Sequence, residues 1–148
     1  MKKVFLCMLL FSGALALYPQ TTLSFCVEVA KDGFCQNKTN EFAISKNGGT
    51  IAFLLKNKKG LGATKVIFKI FKLTENGQEV YNTTLEDSTE KSWTYAWQEA
   101  VFYDPGSYKV KVYDVSSLET AVCTKEELPA CLGDQSLLCI NILKLFVQ

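Results

Sequence analysis

The sequence contains no histidine, and all sixteen of its basic residues are lysine, so arginine is absent as well. Without histidine, neither a Ser-His-Asp nor a Cys-His catalytic relay can be built, and the commonest zinc ligand is missing. Without arginine, the planar group that grips phosphate, carboxylate or guanine at two points is also missing. The side chains that most hydrolytic enzymes and most nucleic-acid-binding proteins rely on are therefore absent from this chain.

The net charge is close to zero, at +1 for the 148 residues. No overall positive field directs the chain towards nucleic acid or anionic lipid. The densest acidic stretch, Glu86-Asp87 with Glu90, has neither the alternating Asp pattern nor the turn glycine of a calcium loop. We therefore expect no nucleic-acid partner, no metal and no cofactor, and an enzymatic function is not favoured.

The first sixteen residues have the organisation of a cleavable export signal. Two lysines precede the unbroken apolar run Val4–Phe11, and Ala14 and Ala16 occupy the small positions of a cleavage site. The run is shorter than the roughly 20 apolar residues of a membrane span. We predict a signal peptide over residues 1–16, one domain over residues 17–148 and no stable membrane anchor after cleavage. The mature protein would be secreted, periplasmic or lumenal in the secretory pathway.

Five cysteines follow that leader, an odd number for an oxidising compartment in which cysteines pair. Chain proximity favours one disulfide between Cys26 and Cys35 and another between Cys123 and Cys131, with other pairings open. Cys139 is then left over inside an apolar stretch, either as a buried core thiol or as a link to a second copy or another protein. A catalytic role is not expected, since no histidine or arginine is present to lower its pKa.

Short apolar runs separated by Gly, Asn, Asp and Ser predict an all-β fold of about 7–9 antiparallel strands. Across Asn47-Gly48-Gly49, the runs Glu41–Ser45 and Thr50–Asn57 resemble the two arms of a hairpin. The longest predicted strand, Thr64–Thr74, directs Val66, Phe68 and Ile70 to the core. Glu79–Glu86 has the polarity of an edge strand, and a charged loop follows from Asp87 to Lys91. No helical periodicity of ten or more residues is present.

A short segment carries a resemblance to known folds. Tyr103–Val112 has a Pro-Gly turn, then a tyrosine, then alternating apolar residues. It resembles the entry to strand F in immunoglobulin-like and fibronectin-III-like sandwiches. The resemblance implies a single immunoglobulin-like β-sandwich, with Gly106 in the turn and Tyr108 as a tyrosine corner, whose hydroxyl bonds the backbone across the loop. Val110 stands where antibody-type domains have a cysteine, so their inter-sheet disulfide is not expected.

The densest aromatic cluster contains Trp93, Tyr95 and Trp97, which share one parity and would lie on one face of a strand. Two interpretations remain open. The face is either the sandwich core or an exposed surface that stacks on sugar rings or anchors a protein, because Trp and Tyr dominate binding hot spots.

Two sequons, at Asn37 and Asn82, would accept glycans in a eukaryotic host, although Asn-rich and Thr-rich chains produce such triplets by chance.

These observations favour an exported, non-catalytic binding module with a protein or glycan partner, contacted through a sheet face or the end loops. One alternative is a small secreted enzyme inhibitor that uses the loop Lys125–Asp134, or an enzyme that uses paired carboxylates, which sequence alone does not reveal. Another is a structural subunit of a surface or secretory-pathway assembly, in which Cys139 would link chains into an oligomer.

Overall fold

The computed structural model describes residues 21–116 and 136–148, whose named elements are all β-strands. The predicted signal peptide, Cys123 and Cys131, and the loop Lys125–Asp134 lie outside the described residues. Eight strands have four or more residues and two are very short. The strands are β1 Thr22–Cys26, β2 Glu28–Val29, β3 Cys35–Gln36, β4 Glu41–Ile44, β5 Gly49–Lys56, β6 Lys65–Leu73, β7 Glu79–Ser88, β8 Tyr95–Phe102, β9 Gly106–Asp114 and β10 Leu137–Val147.

The strands form an immunoglobulin-like β-sandwich. One sheet has the order β1-β5-β8 and the other has the order β4-β10-β9-β6-β7, while β2 and β3 form a separate small ribbon. In immunoglobulin terms, β5 and β8 correspond to strands B and E, and β10, β9, β6 and β7 to G, F, C and C′. Pairing is antiparallel except between β4 and β10, which run parallel and depart from the predicted antiparallel pattern.

The predicted hairpin between β4 and β5 is wrong, because the two strands belong to opposite sheets. They share only an isolated bridge between Ser45 and Gly48, after which the chain crosses from one sheet to the other. Gly49 makes the close crossing possible, since a Cβ there would stand 2.6 Å from Cγ2 of Ile44. Turn residues of the same type serve a hairpin and a sheet-to-sheet crossing, so local sequence did not distinguish them.

The core between the sheets is organised around Phe53, which is fully buried on β5. Its ring lies 5.5 Å from that of Phe25, 6.1 Å from that of Phe102 and 6.3 Å from that of Phe68, measured between centroids. Each such aromatic pair contributes about 0.5–1.5 kcal/mol beyond its buried area. Phe25, Phe53 and Phe102 belong to the smaller sheet, so it is the stacking of Phe53 on Phe68 of β6 that joins the two sheets. Antibody-type domains use a disulfide for this purpose, and Val110 is fully buried at the position of the second cysteine.

Strand β6, an inner strand of the larger sheet, is buried on both faces at its middle. Val66, Phe68 and Ile70 lie in the core as predicted, and each is fully buried. On the opposite face Ile67 and Lys69 are buried too. The Lys69 ammonium lies 5.3 Å from the Tyr81 ring centroid and 5.7 Å from that of Phe71, so aromatic faces partly compensate its desolvation.

The turn before β9 contains the hydrogen bond of a tyrosine corner. The buried Tyr108 hydroxyl donates to the carbonyl of Asp104 at 2.9 Å. Its ring meets that of Phe102 edge-on, with 4.8 Å between the centroids. Gly106 occupies the turn at φ +136°, a conformation that side chains disfavour. The corner therefore fixes the end of β8 against the start of β9.

Strand β7 is the free edge of the larger sheet, as its polarity predicted. It extends to Ser88, so Asp87 belongs to the strand and not to the predicted loop. The register with β6 shifts at Asn82: Tyr81 and Thr83 face Phe71 and Ile70, and Asn82 has no partner. Such a bulge disrupts the free edge and reduces its tendency to pair with other chains.

A disulfide closes the short ribbon over the outer face of the smaller sheet. Cys26 and Cys35 are bonded, nine residues apart in the chain, in agreement with the predicted pairing. Gly33, at the tip of this ribbon, has φ +75° and lies against the Tyr95 ring so closely that a Cβ would be 2.9 Å away. Lys56 Nζ donates to the Gly33 carbonyl at 3.0 Å. The ribbon is thereby held against β5 and β8.

Within residues 21–116 and 136–148, no helix has the length and apolarity needed to cross a membrane.

Replacing both Cys26 and Cys35 by alanine should lower the free energy of unfolding by about 2–3 kcal/mol, because the cross-link restricts the unfolded chain. Urea denaturation under oxidising conditions measures this loss. Cys139→Ala is the control, and it should cost less because it breaks no disulfide in the described residues. Equal stability of the double variant and the wild type would contradict a stabilising role for the cross-link.

Tyr108→Phe should lower the free energy of unfolding by about 1 kcal/mol, since it removes one hydrogen bond and leaves the ring packing intact. Tyr103→Phe provides a matched control on an exposed ring and should change stability by less than about 0.5 kcal/mol. Burial, with a smaller contribution from the Asp104 charge, raises the pKa of Tyr108 above 10.0. Wild-type stability should therefore fall as the pH rises above about 10, and Tyr108→Phe should remove that component.

Candidate functional site

Trp97 lies on the outer face of β8, whereas Trp93 lies in the segment before that strand and not on one strand face with Trp97 as predicted. Both are exposed, so the interpretation of the cluster as sandwich core is wrong for the two tryptophans. On β8 the core-facing residues are the alternate ones, Ala96, Ala100 and Phe102, all of them buried. Trp93 and Trp97 are 44% and 38% exposed. Both indoles are available to a ligand.

The third residue of the predicted cluster, Tyr95, is held by the disulfide ribbon. Its hydroxyl donates to the carbonyl of Lys31 at 2.7 Å, and one side of its ring packs against Gly33. It also packs against the small buried cluster formed by Cys26, Val29, Ala52 and Leu54. Tyr95 therefore connects the ribbon to β8, next to the two exposed indoles.

The exposed indoles border an open pocket, which we call the aromatic pocket. It has a volume of about 540 Å³, within the roughly 300–1,000 Å³ typical of small-molecule sites. It lies where the end of β7 meets the start of β8, so residues from both sheets contribute to its wall. The described residues that line it are Asp87, Ser92, Trp93, Thr94, Tyr95, Ala96 and Trp97.

Asp87 brings a carboxylate into this pocket. It accepts hydrogen bonds from the backbone N–H groups of Trp97 and Ser88 and from the side-chain amide of Gln98. Burial raises the pKa of Asp87 above its ordinary value of 3.8, and these hydrogen bonds act in the opposite direction. The contacts join the free edge of β7 to the free edge of β8 and fix the orientation of the carboxylate.

From the sequence, Asp87 was considered only within an acidic stretch that lacks the features of a calcium loop, and it was not identified as a binding residue. It lies in a run of charged and polar residues, which is typical of a solvated loop. Its role depends on the approach of β7 and β8, which belong to different sheets and are not hydrogen-bonded neighbours within either one. Only the packing of the two sheets brings these edges together.

The segment before β8 is held by backbone hydrogen bonds to the loop after β5. Leu61 N–H donates to the Trp93 carbonyl at 2.7 Å, and Asn57 N–H donates to the Thr94 carbonyl at 2.8 Å. Gly62 N–H donates to the carbonyl of Lys91 at 3.0 Å. Trp93 is therefore positioned by the fold before any ligand arrives, which reduces the entropic cost of binding.

The pocket combines three kinds of chemical group. The two indoles provide flat apolar surfaces with an N–H at the edge, Ser92 and Thr94 carry hydroxyls, and Asp87 carries a hydrogen-bond acceptor. No lysine is among the described residues that line it. The arrangement suits a ligand with an apolar face and hydroxyl donors, and it disfavours an anion.

None of the other predicted site residues in the described part of the chain lines the aromatic pocket. Tyr108 and Gly106 belong to the turn between β8 and β9, at the other end of β8 from the pocket. Asn37 and Asn82 are exposed, and Asn37 has φ +49°. Cys139 is half-buried and packs against the main core, where burial raises the pKa of its thiol. Within the described residues, no group of three or more His, Cys, Asp or Glu side chains is placed to hold a metal ion.

Comparison with known proteins found similarity to solved structures and none in sequence. No protein-family model matches the chain, and no curated protein matches it in sequence. Among solved structures, the chain is similar to an immunoglobulin-like protein from Pseudomonas aeruginosa, with 13% sequence identity and a TM-score of 0.49. The match covers 84% of this chain and 92% of that chain.

Asp87→Asn should change the pH dependence of stability in a direction fixed by the raised pKa. The folded protein retains a proton on Asp87 at pH values above 3.8, where the unfolded chain has released it. Ionisation of this group therefore lowers the free energy of unfolding as the pH rises through that range. Asparagine does not titrate, and its amide oxygen can still accept hydrogen bonds.

Urea denaturation of the wild type and Asp87→Asn between pH 3 and pH 7 tests this, since the two proteins share every other titratable group. The stability of the variant relative to the wild type should increase with pH. A relative stability that decreases with pH would mean that the folded state favours the ionised carboxylate.

Proposed function

We propose that this protein is an exported, non-catalytic binding domain whose ligand occupies the aromatic pocket. The observation that carries the proposal is the pair of exposed indoles, Trp93 and Trp97, beside the hydrogen-bonded carboxylate of Asp87. Exposed tryptophan is costly to leave in water and is enriched where proteins contact ligands. Here the exposed pair coincides with a concave site and with an oriented polar group.

Export is supported by two independent features. The first sixteen residues have the pattern of a cleavable signal peptide. The Cys26–Cys35 disulfide lies in the described part of the fold, and disulfides persist mainly in oxidising compartments outside the cytosol. Both features point to a ligand that is met outside the cytosol.

A binding role is favoured over catalysis by the contents of the pocket. Asp87 is the one carboxylate among the described lining residues, whereas glycoside hydrolysis ordinarily needs two. The sequence has no histidine to act as a general base. The side chains present can hold a ligand by stacking and hydrogen bonding, and they form no recognised catalytic pair.

The alternative of a subunit cross-linked through Cys139 has less support. Its thiol is half-buried and lies 3.9 Å from the carbonyl of Ile140, and its raised pKa lowers the fraction of reactive thiolate. The loop that would serve an inhibitor, Lys125–Asp134, lies outside the described residues. The aromatic pocket is therefore the better-supported site.

Trp93→Ala and Trp97→Ala should each weaken ligand binding at least tenfold, because each removes a large contact surface from the pocket. Binding is measured by probing arrays of oligosaccharides and of peptides from extracellular proteins with the purified protein. Tyr103→Ala is the matched control, as it removes an aromatic ring that is 68% exposed and lies outside the pocket.

Two outcomes would overturn the proposal. One is a captured ligand whose binding is reduced no more by the tryptophan variants than by Tyr103→Ala. The other is chemical turnover of the captured ligand by the wild type. Thermal unfolding of every variant shows whether a loss of binding reflects a loss of fold, and Trp97→Phe retains a ring in case Trp97→Ala fails to fold.

A further inference from the structure

We propose that the ligand of the aromatic pocket is a neutral saccharide, with one sugar ring against the indoles of Trp93 and Trp97 and a ring hydroxyl donating to Asp87. This inference rests on the proposed binding function and specifies the chemical class of its ligand. It follows from the size of the pocket, the flat apolar surfaces in it and the hydrogen bonds that orient the Asp87 carboxylate. It also follows from the absence of positive charge among the described lining residues.

The size of the pocket suits one or two sugar rings. Its volume of about 540 Å³ is in the middle of the range for small-molecule sites. A protein partner would instead need a contact area of about 800 Å² on each side, which extends far beyond the described residues that line this pocket. A small, concave and preformed site favours a compact ligand.

The indoles match one surface of a pyranose ring. Such a ring has C–H groups on its faces and hydroxyls around its edge, so it requires a flat apolar surface and polar groups at once. Trp93 and Trp97 provide the flat surfaces, and Ser92 and Thr94 provide hydroxyls close by. A purely apolar ligand would form no hydrogen bond with these hydroxyls.

The carboxylate of Asp87 is prepared to accept from a hydroxyl. Trp97 N–H, Ser88 N–H and the Gln98 amide already donate to it, which fixes its orientation. A carboxylate has about four acceptor positions, so acceptor capacity remains for the ligand. Hydrogen bonds from a hydroxyl to a carboxylate are stronger than those between neutral groups.

Charge separates neutral sugars from the other candidates. No lysine is among the described lining residues, so a phosphorylated, sulfated or carboxylated sugar would meet Asp87 without a compensating cation. A quaternary ammonium could stack on the indoles and be attracted to the Asp87 carboxylate, yet its ammonium group has no N–H, whereas a sugar ring has several hydroxyls for Asp87, Ser92 and Thr94. A neutral saccharide is the ligand class that can stack on the indoles and also form hydrogen bonds with the hydroxyls and the carboxylate of the pocket.

The chain itself provides a specific readout. It contains only two tryptophans, and both line the pocket. Intrinsic tryptophan fluorescence therefore reports directly on occupancy. Trp93→Phe and Trp97→Phe leave one indole each, which identifies the ring that the ligand contacts.

The experiment titrates the purified protein with methyl glycosides of glucose, galactose, mannose, fucose and N-acetylglucosamine. Choline and sialic acid are titrated in parallel as a cation and an anion. At least one neutral glycoside should shift the emission in a saturable way, while sialic acid should not. Asp87→Asn should weaken that binding about tenfold, because it replaces a hydrogen bond to a charged group by one to a neutral amide oxygen. Glu99→Gln changes an exposed carboxylate on β8 that does not line the pocket, and it should bind like the wild type.

The failure of this inference is distinguishable from the failure of the proposed function. Saturable binding of choline or sialic acid alone would overturn the saccharide assignment and leave a ligand site in the pocket. The absence of any glycoside response, together with a peptide ligand from the arrays that still depends on Trp93 and Trp97, would have the same effect. An array ligand that does not depend on either tryptophan would overturn both.

Discussion

The packing of Phe53 at the centre of the sandwich is the constraint on which the rest of the fold depends. Its ring contacts Phe25 and Phe102 within its own sheet and Phe68 across the core, and the contact with Phe68 joins the two sheets. Phe102 in turn contacts the tyrosine corner at Tyr108, which fixes the turn between β8 and β9. Removing the Phe53 ring would leave a cavity between the sheets and loosen the packing of Phe102, which lies beside this turn.

The same core determines the surface on which the candidate site lies. Because successive residues of a strand point to opposite sides, burial of Ala96 and Phe102 in the core places Trp97 on the outer face of β8. The core also sets the approach of the two sheet edges, where Asp87 on β7 accepts from the backbone of β8. The aromatic pocket is thus a consequence of sheet packing, and its polar group is provided by the opposite sheet.

Much of the fold could be predicted from local patterns. Alternation identified the core face of β6, polarity identified β7 as an edge, and proximity identified the Cys26–Cys35 disulfide.

The site could be predicted less well. The largest aromatic residues of β8 are outside and small alanines are inside, since Ala96 and Ala100 lie beside Leu55 and Ile51 of β5, which fill that part of the core. Asp87 was not identifiable, because its role arises only where two sheets meet. The crossing between β4 and β5 was misread as a hairpin for a related reason: turn chemistry does not encode which sheet the next strand joins.

The most direct test of the account is a ¹⁵N–¹H correlation spectrum of the labelled protein, recorded with increasing amounts of a neutral methyl glycoside. The chain should give two indole N–H signals, one from each tryptophan. If the glycoside binds in the aromatic pocket, both indole signals and the backbone signals around Asp87 should shift together, while those of β4 and β10 stay in place. Saturable shifts confined to β4 and β10, with both indole signals unmoved, would contradict the assignment of the aromatic pocket as the ligand site.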